Sequence, residues 1–260
     1  MGKLAMAWSA VKLNLAMQMI YRLDFILNVF VMMLFNFTFP FLTLLIYSNS
    51  PGFPGWNASQ ILLFQGFAIL VWGLEQMFLG NVSWELNRLI REGQLDRLLV
   101  NPSGPLFYLG ATQLSLEMIP QVLLGVGIII IAFFKLGLFP SLLAWLLLLL
   151  FLACGLLMMI SLSIIQMAMV IRFVQIRRIG ELTRIASLLG QYPANIYSKW
   201  LQAIVVGAVP FALIAFFPAS VVLGKLENFP YTAVIAAALF GVLAWLSWRS
   251  SLGKYTSAGG

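Results

Sequence analysis

Two acidic residues sit where acids are costly. Glu75 and Glu117 lie inside long apolar runs, and a charge at bilayer depth usually faces a cavity or a partner. The chemistry open to them is cation attraction or proton relay. The alternative is a hydrogen-bonded packing role, as for Asn28, Asn36 and Gln113. At about 1.5 Å rise per residue, Glu75 falls roughly 25 Å from the outer start of its run, near the inner face. Glu117 falls about 18 Å from the inner start of its own run, nearer the middle. The two are therefore not expected at one depth.

A second set is denser and more polar. Glu85, Arg88, Arg91, Glu92, Asp96 and Arg97 are interleaved with Leu86, Leu89, Leu95, Leu98 and Leu99. This pattern suits recognition rather than catalysis. An apolar stripe at helical spacing packs on something, and the charges between fix register on a partner. Gly93 can divide the stretch into two short helices, and Pro102 ends the second, because a residue before proline avoids helical geometry.

Other chemistry is excluded by residue type. The chain has no histidine, which removes histidine-based metal sites and mechanisms that need an imidazole base. Cys154 is its only cysteine, so no internal disulfide forms, and its apolar setting reads as a small buried residue. There is no GxxxxGK[ST] phosphate loop, since Gly253-Lys254 lacks the upstream glycine and the following Ser/Thr. No HExxH, GxSG or GxGD motif occurs either. The chain reads as a non-enzyme that binds no cofactor by itself.

The elements that position these residues follow from composition. Of 260 residues, 62% are hydrophobic and 9% charged, with mean hydropathy +0.99. So few charges cannot cover a soluble domain, and the fold class is all-α, a polytopic membrane protein forming one transmembrane domain over residues 1–260. The net charge of +7 reports orientation and contact with membrane lipid, with no nucleic acid as partner.

In chain order, residues 4–20 carry Lys12, Asn14 and Gln18 and lack a small-residue cleavage site. A helix lying in the inner interface fits, with Lys3, Lys12 and Arg22 reaching phosphates. Spans 1 to 4 are expected at 25–46, 58–79, 105–134 and 141–170, with cytosolic helices at 82–100. Pro40 and Pro120 are possible kink sites. Pro105 suits a first helical turn, with Ser103 or Gly104 as cap. Residues 179–224 hold the fifth span. Either 200–223 crosses, or Glu181 to Tyr197 is a polar span lining a pathway and 200–224, broken at Pro210 and Pro218, dips in and returns. Span 6 is 231–248. Lys3, Lys12, Arg22, Arg88, Arg91, Arg97, Arg172, Arg177, Arg178, Arg184, Lys199, Arg249 and Lys254 fall on one side, leaving only Lys135 and Lys225 of the 15 basic residues on the other. Both termini are then cytosolic and the number of spans is even, with six fitting.

Arg91-Glu92-Gly93-Gln94-Leu95-Asp96-Arg97-Leu98-Leu99, followed by Pro102, resembles the loop after the second span in ABC-2 type transporter permeases. Gln191-Tyr192-Pro193-Ala194-Asn195-Ile196-Tyr197 resembles a proline-containing stretch late in the same family. Val209-Pro210-Phe211 and Phe217-Pro218-Ala219 resemble the later prolines of one bacterial subfamily. The resemblance covers essentially the whole chain in length, span count and motif order. It implies a six-span half-permease of a bacterial inner-membrane exporter. Its partners are two copies of a separate ATPase, which carries ATP and Mg, and a second permease, identical or related. It favours the dipping hairpin, and it implies that the spans rearrange as the ATPase pushes 82–100. The coupling residues are then Glu85, Arg88, Leu89, Arg91, Glu92, Gly93, Leu95, Asp96 and Leu98, with the apolar ones seated in a groove of the motor. Glu75, Glu117, Tyr192, Pro193 and Tyr197 are the candidate pathway residues. An apolar conduit suits hydrophobic or amphipathic cargo such as a drug, lipid or lipid-linked glycan. The competing reading is an ATP-independent channel or secondary transporter built on Glu75 and Glu117.

Overall fold

The computed structural model describes residues 8–9, 11–12, 16, 22–101, 104–173, 185, 187–226 and 228–254. Pro102, Ser103, Arg177, Arg178, Arg184 and most of the expected 4–20 helix lie outside the described residues. Among the described residues the regular structure is helical throughout. Five helices are long and apolar enough to cross a bilayer, so the chain is a polytopic membrane protein.

The first, α1, spans Arg22–Asn49 and runs unbroken through Pro40. The second, α2, spans Ala58–Arg91. Its start is fixed by a capping box: Asn57 Oδ1 accepts from the Gln60 amide at 2.9 Å, and Gln60 Oε1 accepts from the Asn57 amide at 3.2 Å. With 34 residues, α2 is about 51 Å long, roughly 20 Å more than the bilayer core needs. Hydropathy ends a span at Leu79 and begins another helix at Val82, but nothing between them interrupts the hydrogen-bond ladder. The span and the first handle helix are one rod.

The rod stops at Gly93, which has φ +65°. Its amide bonds the Ile90 carbonyl, and the Gln94 amide reaches back to Leu89 at 2.8 Å. This left-handed C-cap is open to glycine and strained for other residues. A short helix, α3 at Leu95–Leu99, folds back beneath the rod.

The expected third span at 105–134 is not one helix. α4 covers Pro105–Thr112, a 3-10 turn covers Leu116–Met118, and α5 covers Ile119–Leu136. Pro120 cannot donate to Leu116, so it starts a helix rather than kinking one. The Ser115 amide in the gap bonds the Met77 carbonyl of α2 at 2.9 Å. From there α5 packs along α2 more extensively than any other pair of elements. Gly66 and Gly125 permit that approach: a β-carbon on Gly125 would lie 2.8 Å from the Leu70 amide nitrogen.

α6 at Leu142–Phe173 and α9 at Tyr231–Gly253 form the second closely packed pair. Between them lies a hairpin. α7 at Lys199–Ala203 continues as a π turn to Ala208, and α8 covers Phe216–Val222. Neither arm reaches the roughly 30 Å a crossing needs. Both ends of the hairpin are tied to one loop. Asn195 Nδ2 donates to the Pro54 carbonyl at 3.1 Å, and Lys225 Nζ donates to the Gly55 carbonyl at 2.6 Å. The segment between them therefore starts and ends at the same end of the bundle. Its irregular backbone at 210–215 is buried; such backbone is tolerated at that depth only when protein shields it. Gly155 of α6 supplies part of the shield, since a β-carbon there would lie 2.5 Å from the Leu213 carbonyl oxygen.

Candidate functional site

The residues singled out in sequence fall at three levels of the bundle. At one end is the handle, formed by the tip of α2 with α3. Its apolar stripe is already covered by its own chain. Leu86 and Leu95 are fully buried and Leu98 is 5% exposed. They pack in one cluster with Ile90, Met167, Ile171 and Trp248, and Leu89 packs at its edge. Leu95 and Leu98, expected to seat in a partner's groove, are thus covered by their own chain, while Leu89 is half-buried. They tie the handle into its own bundle, which buries them without a partner.

The charges remain outside. Arg88 donates to both oxygens of Glu85, at 2.9 and 2.6 Å, and to Glu92 at 2.7 Å. Arg91, Glu92 and Asp96 are exposed. So are Trp84 at 72% and Val100 at 82%. Exposed pairs of this kind add little stability; they display a patterned surface on a stiff support.

Midway along the α2 rod is Glu75. It is 3% exposed, and both its oxygens are held: Ser163 Oγ donates to Oε1 at 2.6 Å and Gln76 Nε2 donates to Oε2 at 2.8 Å. It lines a cavity of about 230 Å³ with Trp72, Gln76, Ser83, Trp84, Ser163 and Gln166. Glu117 does not line it. Because Ser115 pairs with Met77, however, Glu117 and Glu75 lie within about one helical turn of the same level. The expected difference in depth came from counting 105–134 as one helix.

A second cavity of about 210 Å³ lies farther from the handle and shares Trp72 as a wall. Gln65, Ala68, Ile69, Trp72, Glu75, Gln76, Gly80 and Ser83 all line one or the other. Their spacing of three or four residues places them on one face of α2. From Gln65 to Ser83 that face is about 27 Å long and runs from the span into the start of the handle. It separates one apolar cluster toward the loop end from a second at the handle. The sequence reading missed Gln65, Trp72, Gln76, Ser163 and Gln166, although the three-and-four spacing on α2 was a usable signal.

Tyr192, Pro193 and Tyr197 sit at neither cavity. Tyr192 meets Phe53 edge to face at 6.1 Å, Pro193 is buried, and Tyr197 Oη donates to the Leu189 carbonyl at 2.9 Å. They belong to a closure at the end opposite the handle. There Trp56 Nε1 donates to Asn195 at 2.9 Å, and Lys225 lies 4.7 Å from the Trp56 ring. Burial lowers the Lys225 pKa from its ordinary value.

No metal-binding group of three acidic, cysteine or histidine side chains forms among the described residues. A family model described as ABC-2 family transporter protein matches residues 30–259. No curated protein and no solved structure matches the chain.

Proposed function

Because the chain belongs to the ABC-2 family of transporter proteins, we propose that it is the membrane-spanning permease subunit of an ATP-driven exporter. It carries the path and not the ATPase; a separate pair of ATPase subunits holds ATP and Mg. The observation that carries the reading is the continuity of α2. One rod bears the path-lining face midway along it and the charged handle at its end. A push on Glu85, Arg88 or Arg91 reaches Glu75 and Gln65 along one helix, and a push on Asp96 enters that helix through the Gly93 turn. Leu95 and Leu98 are buried in the cluster at the handle end, so the short helix is held to its own bundle and motor motion is not dissipated.

Six crossings fit the sidedness of the basic residues, which asks for an even number of spans. Arg172 ends α6 in the turn that packs at the handle, while Asn195 is bonded to the loop at the far end. Basic residues then place the handle in the cytosol of a bacterial cell, with both termini there. Lys199 moves from the cytosolic set to the outer one, because the hairpin begins at the loop end. α1 has 11% of its apolar window buried, which supports a second permease, identical or related, covering part of its face. Cargo is hydrophobic or amphipathic.

The test is affinity purification of the tagged chain from its native membrane, identification of an ATPase that co-purifies, and reconstitution of the two. Stoichiometric recovery and ATP-dependent release of an amphiphilic dye are expected. An isolated chain that conducts without ATP would overturn the reading.

A further inference from the structure

The cavity at Glu75 carries charge of one sign. Among the described residues that line it, Glu75 alone is charged. No lysine or arginine among the described residues forms an ion pair with that carboxylate; Arg88 pairs with Glu85 and Glu92 instead. A carboxylate in an apolar bundle without a counter-charge is costly.

The sign of an occupant follows. An anionic head would be repelled, and a neutral one would leave the carboxylate uncompensated. The type of head follows from the wall. Both Glu75 oxygens already accept, from Ser163 and Gln76, and the residue is 3% exposed. A ligand gains little by donating hydrogen bonds to it. The charge still acts across the wall, because charges a few ångströms apart interact far more strongly in a poorly polarisable interior than in water. A small inorganic cation needs several oxygen ligands, whereas Trp72, Leu79, Trp84, Met159 and Leu162 give the cavity apolar walls. Two of these are indoles, whose faces attract ammonium groups. Gln76 is exposed and Trp84 is 72% exposed, so the cavity opens to the bundle surface beside them. Along α2 Trp84 lies about 14 Å from Glu75, which leaves room for a head near the acid and a tail that reaches the opening.

We propose that this cavity binds a lipophilic organic cation. The charge of Glu75 and the indoles of Trp72 and Trp84 hold a trimethylammonium-like head, and Leu79, Met159 and Leu162 cover the tail. The assignment of this cation as cargo rests on the exporter reading; the binding itself requires no ATPase. A free amphiphile and a zwitterionic lipid offer the same ammonium chemistry, and the experiment separates them.

It uses the purified full chain in dodecylmaltoside, an uncharged detergent, and decyltrimethylammonium carrying a diazirine in its tail. Photolabelling is expected to saturate and to map to peptides containing residues 72–84 and 159–166. Unlabelled decyltrimethylammonium competes, whereas its uncharged isostere with a tert-butyl head, and decanoate, do not at tenfold higher concentration. Glu75→Gln keeps the side-chain volume and lowers labelling at least tenfold. Added phosphatidylethanolamine displaces the probe if the site takes a lipid head and leaves labelling unchanged if it takes a free cation; either result upholds the cation site. Labelling that never saturates, that spreads over the bundle surface, or that the tert-butyl isostere suppresses equally would overturn the proposal. So would a folded Glu75→Gln variant labelled as strongly as the parent. If that variant misfolds, the head-group competition on the parent chain still decides. Failure of ATP-driven export with labelling intact would strike the coupling reading alone.

Discussion

Ser163 supplies one of two donors to a carboxylate that is 3% exposed. Ser163→Ala therefore leaves a buried acceptor half-satisfied and is expected to cost about 1–3 kcal/mol. The measurement is the melting temperature in detergent, which should fall clearly below that of the parent. Glu75 was legible in sequence as an acid in an apolar run, but its partners were not. Ser163 lies 88 positions away, and one serine in a long apolar helix carries no local mark of what it faces. Glu117 shows the reverse. It was legible as an intramembrane acid, yet it does not line the Glu75 cavity, because a break in the helix and not its position in the run sets its place.

The handle separates two kinds of residue that sequence periodicity had grouped together. Leu95→Ala empties a fully buried site and is expected to cost about 2–5 kcal/mol, read as a lower melting temperature with a looser handle. Asp96→Arg changes an exposed position and should leave melting near that of the parent while ATP-driven export falls at least tenfold. If both variants lose stability alike, or if export survives Asp96→Arg, the division between clamp and contact is wrong. The α2–α5 pair depends on close approach. Gly125→Leu drives a side chain into the backbone at Leu70 and should destabilise by about 1–3 kcal/mol or more, read as loss of the monodisperse species in detergent. The amphipathic pattern of 82–100 was readable from spacing. Its destination was not, since a stripe of leucines packs equally well on a partner or on its own bundle.

Across the whole molecule, the ends of the bundle make a prediction of their own. With Cys154 replaced by serine, Asn195→Cys and Lys225→Cys should react with an impermeant maleimide from the outside of intact cells. Asp96→Cys should react only after the inner face is opened. Reaction of Lys225→Cys and Asn195→Cys from opposite sides would sink the returning hairpin. Composition alone determined the class, because 9% charged residues cannot solvate a soluble domain of this size. Residue type likewise removed imidazole chemistry and a phosphate loop. Apolar length placed spans at 25–46, 58–79, 141–170 and 231–248, close to the helices that begin at Arg22, Ala58, Leu142 and Tyr231. Only the tertiary structure decided where helices break or continue, that 198–224 returns to the end it left, and that the polar residues of α2 share a face with cavities. The physical reason is that hydropathy sums local transfer free energies, whereas a broken or re-entrant backbone in a bilayer is stable only if distant segments supply its hydrogen bonds and its cover. That condition is met by the Met77 carbonyl, Gly155 and the 54–60 loop, none of which is close in sequence to the segment it supports.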